Sequence, residues 1–138
     1  TGTVPRLIGT DGVERPLRRR GKANIREQAR VMRMAVREHA QVLVIECMAV
    51  DPFLQEISQR KIVRSDIGVI TNVRLDHTEE MGLTLEEICD SLSRTIPEHG
   101  ILYTADVKVD LRKEMTFPTC VHTYKDARGL SHQNANGQ

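Results

Sequence analysis

Two apolar runs in the sequence end in side chains that can bind a metal ion. The run VLVI at 42–45 ends at Glu46, and the run IGVI at 67–70 leads into a loop that contains Asp76 and His77. Mg²⁺ is commonly held by one or two carboxylates, because water and phosphate oxygens fill its other positions. An imidazole can complete such a set directly or through water. The pattern predicts either a magnesium site or, as the plainer alternative, two ordinary polar strand ends.

The elements that would position these side chains are two strands and a connecting helix. A continuous apolar run such as 42–46 is typical of a strand buried on both faces of a parallel sheet. Asp51 before Pro52 predicts the start of a helix that extends to about Lys61, and this connection is long enough for a crossover to a parallel strand at 67–70. The carboxyl ends of both strands would then lie at one edge of the sheet, where open α/β folds bind ligands.

Local signals near the start of the chain predict a hairpin and a helix. Asp11-Gly12 between two short runs is a hairpin signal, with Pro16 on an edge. Asn24 and Glu27 have the spacing of a capping box at the start of a helix. Helical spacing predicts one buried stripe on that helix, formed by Ile25, Ala29, Met32, Val36 and Ala40.

A second helix and two further strands follow in the second half of the chain. Thr84 and Glu87 form another capping-box pattern, and Pro97 closes the helix. The apolar stripe of this helix is predicted to be Leu85, Ile88, Leu92 and Ile96. ILYTA at 101–105 and TCVHTY at 119–124 predict strands, separated by a polar segment with helical character. Strands and helices in alternation predict an α/β fold of three layers with a mostly parallel sheet.

Composition excludes several classes of protein. The 138 residues are enough for one domain with a core, and 20 Lys plus Arg against 19 Asp plus Glu give no charge argument for nucleic acid. The three cysteines include no CxxC pair, so they indicate neither a disulfide framework nor a zinc site and favour a reducing compartment. No run approaches the roughly 18 apolar residues that span a membrane.

Other candidate motifs are weaker. Gly21-Lys22 is not a phosphate-binding P-loop, because Ala23 follows where Ser or Thr is required. The basic cluster at 18–30 lacks the interleaved aromatic residues on which single-stranded nucleic acid stacks, which favours a solvated face or an anionic-substrate contact over RNA binding. The remaining histidines have no partners at ligand spacing and predict structural or surface roles: His39, His99, His122 and His132.

Three long blocks of the sequence resemble one family. RGKANIREQ at 20–28, VLVIECMAVDPFLQ at 42–55 and GVITNVRLDHTEEMGLTLEEI at 68–88 closely resemble the ligase subunit of poly-γ-glutamate synthase, the CapB/PgsB type. The similarity runs from Thr1 to about Asp106. The N-x-x-x-D-H loop and the acid-ending strand look more distantly like the central ATPase domain of the Mur ligases and folylpolyglutamate synthases.

The resemblance implies a fold and a domain organisation. Residues 1–125 would form part of a P-loop NTPase-like central domain of the Mur ligase type, without its first strand and P-loop. Residues 126–138 would be a polar, disordered tail. Because the family's phosphate-binding loop lies on the N-terminal side of this region, the 138-residue chain alone is expected to be inactive or nearly so.

The resemblance also implies an activity. In this family ATP phosphorylates the γ-carboxylate of a glutamate, and the amine of another glutamate attacks the acyl-phosphate, so ATP and Mg²⁺ are the implied cofactors. Glutamate and poly-γ-glutamate are the implied ligands, as in capsule biosynthesis, and nucleic acid is not. Membrane subunits of the synthase would hold this soluble segment at the cytoplasmic face of the membrane. The alternatives are a folylpolyglutamate or cyanophycin type of ligase, or a non-catalytic interaction module.

Individual roles follow from the matching positions. Glu46 matches the acid that holds magnesium between the ATP phosphates, and His77 matches the histidine of the second magnesium site. Asp76 and Asn72 would orient His77 or the metal-bound waters. Glu79 stands where relatives usually carry Asp, a change that lengthens the side chain.

Three further residues are expected to contact nucleotide or substrate. Thr3 belongs to a T-G-T segment that resembles one near the family's ligand site. Asn24 and Arg20 lie in the first matching block, close to a helix start whose backbone N–H groups can meet an anionic substrate.

Overall fold

A computed structural model of the chain describes residues 5–19, 24–104 and 120–123. The chain divides into two compact units, Thr1–Ala49 and Val50–Gln138. In the described residues the first unit contains a two-stranded sheet and the second a three-stranded sheet. None of the described helices is long and apolar enough to cross a membrane.

The first unit begins with the hairpin that the sequence predicts. Strand β1 (Arg6–Ile8) pairs antiparallel with strand β2 (Glu14–Pro16), which places Pro16 at the end of an edge strand. Gly12 has a φ of 73°, a left-handed conformation that glycine adopts without steric cost. The Asp11-Gly12 signal is therefore confirmed.

Asp11 fixes the turn through its side chain. Its carboxylate pairs with Arg15 and accepts a hydrogen bond of 3.0 Å from the Val13 N–H. The hydrogen bond from Arg15, with the Val13 N–H next, lowers the pKa of Asp11 to about 2. Because the folded pKa is depressed, this contribution to stability is present above the usual aspartate pKa and is lost as the pH falls toward 2.

Helix α1 (Arg26–Arg37) forms near the predicted position, but the predicted capping box is wrong. The Asn24 Oδ1 accepts a hydrogen bond of 2.9 Å from the Arg26 N–H, so Asn24 satisfies one N–H at the helix start. Glu27 does not return this bond, because Arg19 holds its carboxylate through two bonds of 2.6 and 2.8 Å. The Arg19–Glu27 ion pair therefore takes the place of the hydrogen bond that the Glu27 side chain would accept from the backbone of Asn24 in a capping box.

The predicted buried stripe of α1 is also wrong. Val36 is 74% exposed, and the deepest residues of the helix are Gln28 at 1% and Val31 at 5% exposure. The other stripe members, Ile25, Ala29, Met32 and Ala40, are only partly buried. The amide of Gln28 donates to the backbone carbonyl of Glu46 at 3.3 Å. The segment that follows the helix thus contacts the Gln28 side of α1, and the predicted stripe is only partly covered.

The predicted strand at 42–46 is not formed. Its backbone pairs with no strand in the described part of the chain. The side chains of Val42 and Val44 are 79% and 92% exposed. Leu43 and Ile45 are partly buried, so the run has one covered face rather than two. A run of β-branched residues becomes a strand only where a neighbour supplies backbone hydrogen bonds. The three-layer arrangement therefore stays a prediction.

The second unit begins with a helix whose start is as predicted. The Asp51 side chain accepts a hydrogen bond of 3.0 Å from the Leu54 N–H, and Pro52 occupies the first turn of α2 (Pro52–Ile57). The helix continues as a π-helical segment, Ser58–Val63, past the predicted end near Lys61. Arg64 ends it in a left-handed conformation.

The sheet of the second unit has three strands in the order β3-β4-β5. Strands β3 (Ile67–Ile70), β4 (Ile101–Thr104) and β5 (Cys120–Thr123) pair in parallel on both sides of β4. All three occur where the sequence predicts strands. The predicted helical segment between β4 and β5 and the predicted tail at 126–138 lie outside the described residues.

Two helices lie between β3 and β4: α3 (Thr78–Met81) and α4 (Leu85–Ser93). The capping box of α4 is confirmed. The Glu87 N–H donates to the Thr84 Oγ1 at 3.1 Å, and the Glu87 carboxylate accepts from the Leu83 and Thr84 N–H groups at 2.7 and 3.0 Å. These two bonds, that from Leu83 first, hold the pKa of Glu87 below its usual value.

The core of the second unit lies between β3, β4 and α4. Leu102 in the middle strand is 0% exposed. The other buried members of this core are Ile70, Val73, Ile88, Cys89 and Ile96. Ile88 and Leu92 confirm the predicted stripe within α4, whereas Leu85 at its start is 41% exposed. The helix ends at Ser93 and not at Pro97 as predicted, so Ile96 reaches the same core from the segment that follows.

Removing the Thr84 hydroxyl tests the cap of α4. We expect Thr84→Ala to lower the free energy of unfolding by about 1 kcal/mol, because the Glu87 N–H loses its partner. Thr84→Ser keeps the hydroxyl and should retain most of the stability. Urea unfolding followed by circular dichroism measures both variants, and equal stability of the alanine and serine variants would contradict the cap.

Candidate functional site

The polar loop after β3 is anchored by one apolar residue. Val73 is 7% exposed and belongs to the core of the second unit, while Asn72 and Arg74 on either side of it are exposed. The loop therefore leaves the strand, returns once to the core and only then reaches Asp76 and His77. This anchoring fixes the position of a segment whose other side chains gain little from burial.

His77 has a left-handed backbone, with φ 49° and ψ 43°. Asp76 Oδ1 accepts a hydrogen bond of 2.8 Å from the His77 N–H. The His77 carbonyl accepts the N–H groups of Glu80 and Met81 at 3.1 and 2.9 Å, which starts helix α3. A left-handed conformation costs a non-glycine residue about 1–2 kcal/mol. These three hydrogen bonds hold His77 in a conformation that its own backbone does not favour, as is common at functional sites.

The two polar side chains of this turn lie close together and face solvent. The His77 Nε2 is 3.9 Å from Asp76 Oδ1, and the side chains are 54% and 78% exposed. The described residues include no group of three or more His, Cys, Asp or Glu side chains able to hold a metal. A carboxylate and an imidazole open to solvent fit Mg²⁺ bound mainly by water and phosphate oxygens, and do not form a closed protein cage.

Asn72 lies in the same loop, exposed to solvent. Its amide donates a long hydrogen bond of 3.4 Å to the Thr71 hydroxyl. The predicted role of Asn72 in orienting His77 or metal-bound water stays a prediction. Glu79, one residue into α3, is exposed and contributes a negative charge to the first turn of that helix.

Glu46 is tied to helix α1 through its backbone carbonyl. Its carbonyl accepts the Gln28 amide, whereas its side chain is exposed. It lies at the border of a cavity of about 460 Å³ within the first unit, lined by β1, by α1 and by residues 40–46. Gln28 was missed by the sequence analysis, because a glutamine in the middle of an amphipathic helix gives no sign that it is buried.

The structure brings together only part of the predicted site. Asp76 and His77 are adjacent in the second unit, and Glu46 belongs to the first, so the predicted convergence of Glu46 with them stays a prediction. Asn24 is exposed, and its side chain already accepts one N–H group at the start of α1. Thr3 and Arg20 lie outside the described residues.

Two characterised bacterial proteins are similar to this chain. It is 43% identical over 119 residues to the capsule biosynthesis protein CapB of Bacillus anthracis, a match that covers 83% of this chain and 25% of that protein. It is 44% identical over 108 residues to the PGA synthase CapB of Bacillus subtilis strain 168, covering 77% of this chain and 28% of that protein. The chain thus spans about a quarter of the length of these relatives. No protein-family model and no solved structure matches it.

Substitutions at His77 test the left-handed turn. Both His77→Gly and His77→Ala remove the imidazole, but only glycine adopts this conformation without a steric cost. We expect the glycine variant to be more stable than the alanine variant by about 1 kcal/mol in thermal unfolding. An alanine variant as stable as the glycine variant would contradict the left-handed backbone at this position.

Proposed function

Because the chain belongs to the CapB type, as its identity of 43–44% to two CapB proteins shows, we propose that it is part of an ATP-dependent ligase. The ligase joins glutamate residues through their γ-carboxyl groups. The relatives are named for capsule biosynthesis and for PGA synthesis, which supports glutamate as the monomer and its polymer as the product. The chain spans about a quarter of these relatives, so the activity is proposed for the whole protein.

The proposed reaction has two steps. A γ-carboxylate oxygen attacks the terminal phosphorus of ATP, which gives an acyl-phosphate and ADP. The amine nitrogen of a second glutamate then attacks the acyl carbon, expels inorganic phosphate and loses a proton, which leaves an amide. Phosphorylation replaces a poor leaving oxygen by a good one, and the protein must position two anionic reactants against their mutual repulsion.

The observation that carries this proposal is the strained turn at Asp76-His77. The imidazole of His77 is half exposed on a backbone fixed by three hydrogen bonds, so a solvated metal ion that carries phosphate has access to a pre-positioned imidazole. Asp76 accepts the His77 N–H, and its carboxylate oxygen lies 3.9 Å from the His77 Nε2, so the turn offers a carboxylate and an imidazole side by side to a cation.

His77 and Glu46 are the residues that would hold Mg²⁺ in this proposal. When bound, Mg²⁺ would neutralise charge on the transferring phosphoryl group. Asp76 would act on the orientation of His77 and not on the reacting atoms. Membrane subunits as partners remain a prediction from the family resemblance.

Replacing His77 by alanine in the whole protein tests the proposed function. We expect the rate of ATP-dependent γ-glutamyl bond formation to fall about 100-fold or more, because loss even of an outer-shell partner of a metal costs 10–100-fold. ADP release together with mass spectrometry of the glutamate product measures this rate.

His39 provides a matched control in the same protein. It is exposed and has a left-handed backbone, with φ 53°, but it belongs to the first unit, whereas His77 belongs to the second. His39→Ala should therefore leave ligation within about twofold of the parent, since it carries a comparable backbone penalty. Full activity of His77→Ala, or equal losses in both variants, would contradict the proposal.

A further inference from the structure

Helix α1 carries four arginines on one face. Arg26, Arg30, Arg33 and Arg37 follow one another at spacings of 4, 3 and 4 residues, and all four are exposed. At 3.6 residues per turn they lie within an arc of about 60°. Gln28 and Val31, the buried residues of the helix, lie on the opposite side. Packing within the first unit therefore turns this arginine face (Arg26, Arg30, Arg33 and Arg37) toward solvent.

The charge of the arginine face is not balanced by the helix itself. Glu27 is the one carboxylate in the α1 sequence, and Arg19 already binds both of its oxygens. Within the described residues, no carboxylate forms an ion pair with any of these four arginines, and Arg30 donates one hydrogen bond of 2.8 Å to the backbone carbonyl of Arg18. Like charges three and four residues apart on a helix destabilise it modestly. A helix that keeps four arginines exposed on one face is typical of a surface that binds an anionic partner.

The spacing of these arginines suits a particular kind of anion. With a rise of 1.5 Å per residue, successive guanidinium groups are anchored about 4.5–6 Å apart, over about 16 Å in total. A γ-linked glutamate chain has five backbone atoms per repeat and so presents one free α-carboxylate about every 6 Å when extended. Each guanidinium can bind a carboxylate through two parallel hydrogen bonds. Because the repeat has five backbone atoms, successive carboxylates of the extended chain point to opposite sides, and those on one side recur about every 12 Å. Arginines seven residues apart, such as Arg26 and Arg33 or Arg30 and Arg37, are anchored about 10.5 Å apart and can meet two carboxylates on one side of the polymer.

We infer that the arginine face of α1 binds the γ-linked glutamate polymer and holds it beside the enzyme during elongation. This inference rests on the proposed function, which makes that polymer the product. RNA is a poorer fit, because α1 contains no aromatic residue on which bases stack. A lipid surface is also a poorer fit, because it requires an exposed apolar face on the opposite side, and that side of α1 is buried.

Binding of a short, fluorescently labelled γ-linked glutamate oligomer to the full chain tests this inference by fluorescence anisotropy. We expect Arg33→Gln with Arg37→Gln to weaken binding about tenfold, because two charge-assisted contacts are lost. Glutamine has nearly the helix propensity of arginine, so α1 should keep its structure. The parent affinity should fall steeply with added salt.

Lys61→Gln with Arg64→Gln is the matched control. It removes the same two charges from exposed positions in the second unit and should leave the affinity unchanged. An equal loss in this control would overturn the inference, since it would show only a response to net charge. Equal affinity for an α-linked glutamate oligomer, or tighter binding of RNA or of phosphatidylglycerol vesicles, would overturn the assignment to the γ-linked polymer.

The inference and the proposed function fail in different ways. A protein that ligates glutamate but does not bind the oligomer overturns the inference and leaves the proposed function standing. A protein that binds the oligomer through Arg33 and Arg37, but forms no γ-glutamyl bond with ATP, supports the polymer surface and overturns the proposed function.

Discussion

The burial of Leu102 in the middle of the parallel sheet is the contact on which the second unit depends. Leu102 is 0% exposed, and its strand pairs with a parallel neighbour on each side. Ile70 and Val73 reach the same core from the end of β3 and from the loop behind it. The burial of these apolar side chains, and not any polar contact, determines where the exposed loop begins.

The loop that carries His77 is attached to this core at both of its ends. Val73 is buried before the turn, and Met81 packs against the core after it. Between these anchors His77 keeps a left-handed backbone. The hydrogen bonds with its neighbours and the packing on either side offset the free-energy cost of that conformation. A side chain on such a turn is held in position and is still open to solvent. That combination suits a residue that must meet a charged, solvated ligand.

Local signals allowed correct predictions where the physical cause is local. The Asp11-Gly12 turn, the Asp51-Pro52 helix start and the Thr84–Glu87 capping box each depend on residues within a few positions of one another, and each is confirmed. The adjacency of Asp76 and His77 follows from the sequence directly. Their left-handed turn does not, since a histidine in that conformation gives no recognisable pattern.

The sequence was less informative where the cause is a distant partner. Val42 and Val44 have strong strand propensity, yet they remain exposed, because propensity supplies no neighbouring strand. In α1 the apolar stripe gave a plausible buried face, whereas the structure buries Gln28 and Val31 most deeply. Because that side of α1 is buried, the arginine face on the other side is exposed. Only Arg26 and Arg30 of this face belong to the basic cluster seen in the sequence. The packing partners of a helix, and not its own apolar pattern alone, thus determine which of its faces is buried.

Paramagnetic broadening by Mn²⁺ tests most directly the proposal that His77 meets the metal bound to ATP. Mn²⁺ takes the carboxylate, carbonyl and water oxygens that Mg²⁺ takes. In the whole protein with ATP, we predict that substoichiometric Mn²⁺ broadens the His77 ring resonances, assigned through the His77→Ala variant, more strongly than those of His39. Sharp His77 resonances under conditions where Mn²⁺ and ATP bind the protein would contradict the account.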